Sequence, residues 1–169
     1  DLTEEYLAFL APKLEVFDRR DLKFPPDRQT RWEKAQSAME SYPIGPSEPE
    51  EEKTYILTKW IVGDATDAVE WTDLDILNRI LLGNEGAPLK KAIVDSQLGQ
   101  DLLPHSGMDS VGCEAVFAIG LQGSECDRAA AFEKLVSDTL EEIASGELDR
   151  EIVEAAFQQA GYQHQEIGG

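Results

Sequence analysis

The sequence predicts an α+β domain, an antiparallel β-sheet with helices packed on one of its faces. Three observations carry that expectation. Two runs, "KTYILTKWIV" at 53–62 and "CEAVFAIGLQ" at 113–122, are rich in β-branched and aromatic residues or alternate apolar with polar. Several other stretches repeat apolar residues at threes and fours, the spacing of one helical face. Their order along the chain is strands, two helices, strands, two helices, with turn residues between.

The elements follow in order. Residues 2–18 place Leu2, Tyr6, Phe9, Leu10, Leu14 and Phe17 on one helical face, and Pro12 is expected to kink that helix or mark a second start. A turn-rich link, "DLKFPPDRQ", follows. Residues 30–41, "TRWEKAQSAMES", read equally as helix or amphipathic strand, and "YPIGPSEPEEE" reads as a solvated loop. In 53–62, Ile56, Trp60 and Val62 share one face while Tyr55, Leu57 and Ile61 share the other. Apolar residues on both faces predict a strand inside the layer and not at its rim. Asp67 and Glu70 are spaced as a capping pair for a helix whose stripe is Leu74, Leu77, Ile80 and Leu81.

Downstream, "QDLLPHSGMDSV" is glycine-broken, as expected of an edge strand with a bulge or a wide turn. Residues 113–122 alternate, predicting Cys113, Ala115, Phe117, Ile119 and Leu121 inward with Glu114 and Gln122 outward. Ser124 or Asp127 is placed to cap a long helix with Phe132, Leu135, Val136, Leu140 and Ile143 on its core face, ended by Gly146. A last helix from Asp149 carries Ile152, Val153, Ala156, Phe157 and Ala160. Residues 1–52 and 53–169 are expected to form an N-terminal portion and the main body of one domain. Both ends begin or stop inside helical patterning and read as cut from something larger.

Composition limits the partners. With 169 residues the chain can bury a real core. Its 34 acidic and 15 basic residues give a net charge of −19, a surface that repels nucleic acid and anionic membranes. Solubility is the first reading of that charge, which also permits attraction of basic peptides. No signal peptide and no run of membrane-spanning length is present in this sequence, so a soluble, reducing compartment, cytoplasm or organelle matrix, is expected. Cys113 and Cys126 have neither Cys-x-x-Cys spacing nor neighbouring histidines and predict free thiols.

Candidate chemistry is sparse. "GNEGAPLKKAIVDSQLG" at 83–99 is Gly-rich, but a phosphate loop needs Gly-x-x-x-x-Gly-Lys-Ser/Thr after a strand. Here Gly83 follows a helix and Lys90-Lys91 precede alanine, so the reading is a corner. Gly83 caps the first helix, Gly86 sits in the turn and Pro88 opens the next helix. His105 has no neighbouring ligand, and His164 has only Glu166 close by in sequence. No pair of histidines is spaced to hold zinc, and no nucleophile elbow occurs. No catalytic, metal-binding or cofactor-binding residue is therefore assigned.

These pieces carry a family resemblance. "YILTKWIVGDATDAVEWTDLDILNRILLGNEGAPLKKAIVDSQLGQDL" resembles the second, non-zinc domain of the insulinase-type zinc metallopeptidases, in the presequence protease branch. The matching motif pieces are Leu81-Leu82-Gly83, Ala87-Pro88-Leu89-Lys90 and Asp95-Ser96-Gln97-Leu98-Gly99, followed by the strand "EAVFAIGLQG" and two long helices. The structural motif residues are thus Gly83, Gly86, Pro88, Leu89, Asp95, Ser96, Leu98 and Gly99. Gln97 stands where the family usually has glycine, a departure that bears on the corner's geometry.

The resemblance implies one of four related α+β domains forming two half-shells around a chamber for short unfolded peptides. Zinc would belong to a neighbouring domain, through a His-x-x-Glu-His motif absent here. It implies a non-catalytic role: completing the first half-shell, supporting the zinc domain and lining the chamber. The corner lacks the arginine and tyrosine that the family's fourth domain supplies, so none is carried over. A stand-alone scaffold of the same fold is the rival reading. A domain parted from its neighbour is further expected to self-associate as a symmetric homodimer.

Overall fold

The computed structural model describes residues 1–18, 20–21, 28 and 30–166, with side chains as far as Tyr162. The link at 21–29 falls largely outside these residues, as do the side chains of His164 and Glu166. In chain order the elements are α1 (Leu2–Leu14), β1 (Thr54–Asp64), α2 (Ala68–Leu82), α3 (Pro88–Ser96), β2 (Asp101–Leu102), β3 (Gly107–Val111), β4 (Glu114–Ser124), α4 (Ala129–Ser145) and α5 (Arg150–Glu166). The architecture is α+β with a four-stranded antiparallel sheet, as the patterning predicted.

β4 is the hub of that sheet. β1 pairs along one of its edges, and β3 and β2 pair in succession along the other. β3 joins β4 through a two-residue turn opened by Gly112 at φ 64°. Between β2 and β3, residues 103–106 loop out, and one backbone and one side-chain hydrogen bond to Gly120 bridge the break. Leu103 donates its N–H to Gly120 O, and the Ser106 hydroxyl accepts the Gly120 N–H at 3.1 Å. Gly120 itself is a point of close approach, since a Cβ there would come within 2.6 Å of Ile56 O.

The core lies between the sheet and its helices. Ile56, Phe117, Ile119 and Leu121 project from the sheet to meet Leu81 of α2, Leu89 and Ile93 of α3, and Phe132 and Val136 of α4. Leu135, Leu140 and Ile143 pack at its margin. β4 is buried on both faces over most of its length, so the predicted outward position of Glu114 is corrected. Glu114 is only 6% exposed, and its carboxylate accepts from the Arg31 guanidinium at 3.2 Å. Its partner lies 83 residues away in the chain, which is why alternation alone misplaces it. Cys113 is buried as predicted but sits in the turn before the strand.

Several other local expectations are also corrected. β1 is an edge strand, not an interior one, with Tyr55, Leu57, Trp60 and Val62 partly open to solvent. Register shifts flank Tyr55 and Val62, and an edge strand tolerates such bulges because it has one ladder to satisfy. Residues 30–41 form neither helix nor strand. α1 runs through Pro12 to Leu14, and every residue of its apolar stripe is exposed. Asp67 caps α2 by accepting from Val69 and Glu70 N–H groups, but Glu70 reaches back to the Asp64 N–H, so the pair is not reciprocal. In α5, Ala156 and Ala160 are buried while Phe157 is exposed.

Candidate functional site

The corner at 83–99 is where the sequence concentrates its unusual residues. Gly83 ends α2 in a right-handed conformation, its N–H donating to Arg79 O at 2.8 Å. The Asn84 side chain then turns the chain by accepting the Gly86 N–H at 2.8 Å. Ala87 lies fully buried at the start of α3, where Pro88 fits because the first helical turn needs no donor. Leu89 and Ile93 point into the core, while Asp95 on the outer side pairs with Lys91.

α3 ends at Gln97 in the left-handed region, φ 53° and ψ 27°. That conformation favours glycine, because a Cβ crowds the following carbonyl. Ser96 supports the bend, its hydroxyl donating to Ile93 O at 2.6 Å and accepting the Leu98 N–H. The Leu98 carbonyl is then held from the end of β4 and the turn that follows it. The buried Ser124 hydroxyl donates to it at 2.6 Å and Arg128 Nη1 at 3.1 Å. Gly99 approaches β4 closely, with Gln122 O only 3.0 Å from where its Cβ would stand.

The motif residues Gly83, Gly86, Pro88, Leu89, Asp95, Ser96, Leu98 and Gly99 therefore occupy one joint between α2, α3 and the sheet. Ser124 and Arg128 complete it, and sequence reading missed both. Ser124 or Asp127 was expected to cap α4, but a 3₁₀ turn at Cys126–Arg128 contains Asp127, no side chain caps α4, and the Ser124 hydroxyl faces Leu98 instead. A carbonyl target has no residue signature, so no motif could have revealed this latch. Its side-chain polar groups are engaged within the joint, Ser96 with Ile93 O, Ser124 with Leu98 O and Asp95 with Lys91.

Elsewhere the chemistry is equally sparse. Among the described residues, Asp64 is the carboxylate most shifted from its ordinary behaviour. Hydrogen bonds from the Thr66 hydroxyl (2.7 Å), then the Arg28 guanidinium and the Thr66 N–H, hold its pKa down to about 2. Among the described residues, no group of three or more His, Cys, Asp or Glu is arranged to hold a metal ion. An apolar cleft of about 350 Å³ opens between β1 and α2, lined by Trp60, Leu74, Leu77, Met108 and Phe117 among others. At its wall the buried Asn78 Oδ1 has no hydrogen-bond partner and packs against Gly107, where a Cβ would come within 2.9 Å.

Fold and joint together describe an α+β domain whose motif residues gather between α2, α3 and the sheet. The chain belongs to the family described as the Peptidase M16 inactive domain, which matches residues 1–160. It is 27% identical over 165 residues to protein HypA of Clostridium perfringens, covering 97% of this chain and 17% of that protein. It is 25% identical over 156 residues to the mitochondrial presequence protease of Schizosaccharomyces pombe, covering 92% and 16%. The mitochondrial presequence protease of Aspergillus fumigatus is 33% identical over 118 residues, 69% of this chain and 11% of that protein. The chain thus spans less than a fifth of the length of these relatives. None of the described helices is long and apolar enough to cross a membrane.

Proposed function

We propose that the chain is a non-catalytic structural domain of a zinc metallopeptidase resembling presequence protease, in which it completes the first half-shell, supports a separate zinc-binding domain and lines a chamber for short unfolded peptides. The family match over residues 1–160 carries this reading. The names of the presequence protease relatives add the enzyme class, and their greater length leaves room for the domain that would bind zinc. The exposed apolar stripe of α1 and the cleft beside β1 supply surfaces for a neighbouring domain. The charge of −19 favours basic peptides inside a closed cavity. Such an enzyme would work in the cytoplasm or an organelle matrix.

The test has two parts. Incubated alone with a fluorogenic basic peptide, the chain should show no chelator-sensitive cleavage, and such cleavage would overturn the non-catalytic role. Mixed with the separately produced zinc-binding domain of a presequence protease relative, it should form a complex in sedimentation experiments. Failure to bind would favour a stand-alone scaffold.

A further inference from the structure

We propose that Arg28 and Arg31 form a strap that ties the N-terminal portion to the end of the sheet, and that this strap is what makes a pair of carboxylates tolerable there. Glu114 opens β4, the hub strand, and stands opposite Asp64 of β1 on one side and Val111 of β3 on the other. Residues directly opposite across a ladder bring their Cβ atoms to about 4.5–5.5 Å, so two carboxylates are set side by side. Like charges in that position destabilise a sheet unless cations offset them.

Both cations come from one short segment. Arg28 pairs with Asp64 and Arg31 with Glu114, across 36 and 83 residues of sequence. Two guanidiniums only three positions apart thus meet one carboxylate on each of two neighbouring strands. The arms are unequal. Asp64 also accepts from the Thr66 hydroxyl at 2.7 Å and the Thr66 N–H at 2.9 Å, so it keeps partners without Arg28. Glu114 is buried, and among the described residues Arg31, at 3.2 Å, is the one donor its side chain finds.

The groups around this pair offer no replacement. Cys113 precedes Glu114, and across the other ladder Val111 is apolar, with Asp109 two residues further along β3. Glu70 of α2 is engaged with the Asp64 N–H. Those of them that ionise become negative, so none can stand in for Arg31. Removing one partner of a buried pair costs far more than an exposed pair contributes, because the other charge is left uncompensated. The end of the sheet is therefore closed only while residues 28–31 are seated on it.

Urea unfolding of the whole chain at pH 7 and pH 5 tests the strap. At pH 7, Arg31→Gln should raise the unfolding constant about tenfold, the half-exposed guanidinium keeping the loss below that of a fully enclosed pair. At pH 5 the difference from the unaltered chain should shrink below about threefold, because an unpaired buried carboxylate favours its neutral form and proton uptake relieves it. Arg28→Gln should weaken folding less than Arg31→Gln does, and the reverse order would overturn the unequal arms. A change within about twofold for Arg31→Gln at pH 7, as an exposed pair gives, would overturn the proposal, and so would a loss that is the same at both pH values. Arg31→Gln combined with Glu114→Gln covers the case in which the single variant does not fold. Removing the buried charge should restore folding and erase the pH-dependent difference, whereas a double variant no more stable than Arg31→Gln would sink the strap.

Discussion

α1 and α4 carry the same helical patterning and end in opposite states. α4 buries Phe132 and Val136 almost completely against the sheet. α1 buries nothing, and its large apolar residues stand between 44% and 66% exposed. Periodicity defines which face of a helix is apolar, but only a tertiary partner turns that face into stability. The contrast is measurable by urea unfolding. Phe132→Ala should cost about 3–5 kcal/mol, the range for emptying a fully buried aromatic site. Phe9→Ala in α1 should stay within about 0.5 kcal/mol, as for exposed positions, with the denaturant slope unchanged in both. Comparable losses from both variants would mean that α1 packs on the body, and the contrast would break.

The same contrast explains what was legible in the sequence. β1, β4, α2 and α4 were readable because their apolar residues repeat at the period of the element and a partner covers them. β1's place at the sheet edge was not readable, since apolar residues on both faces are equally consistent with an interior strand. Here the exposed Tyr55 and Leu57 lie on the face away from the helices. The ambiguity at 30–41 has a physical root as well, for that segment has strand-like alternation and no ladder in the structure. Within the joint, the turn glycines and Pro88 were legible from their backbone preferences. Ser124 and Arg128 were not, because they bind a backbone carbonyl brought near only by folding.

A smaller effect sharpens the picture of the body itself. The core elements are locally consistent with the fold except at Gln97, which holds a left-handed conformation at the end of α3. For a side-chain-bearing residue that costs roughly 1–2 kcal/mol, part of which glycine gives back through its extra freedom in the unfolded chain. Gln97→Gly should therefore stabilise the protein by about 1 kcal/mol, read as a higher urea midpoint. A lower midpoint would mean that the Gln97 side chain makes contributions larger than its backbone cost.

The smallest effect lies where the two regions meet, at Asp64. Its folded pKa of about 2 lies below the ordinary value of 3.8, so its interactions contribute stability that is present above pH 3.8 and lost as pH falls through about 2. The causes come from different regions. Thr66, in the turn after β1, supplies the largest lowering influence through its hydroxyl, and Arg28, in the N-terminal portion, follows. A carbon-detected NMR titration of the Asp64 carboxyl separates them. Arg28→Gln should raise the pKa part of the way, leaving it below 3.8 because Thr66 still donates. Thr66→Val should raise it further, and Asp64→Asn should remove this residue's share of the acid slope in stability. A full return to 3.8 in Arg28→Gln would instead make Arg28, from the N-terminal portion, the dominant partner of this carboxylate and overturn the ranking that puts Thr66 first.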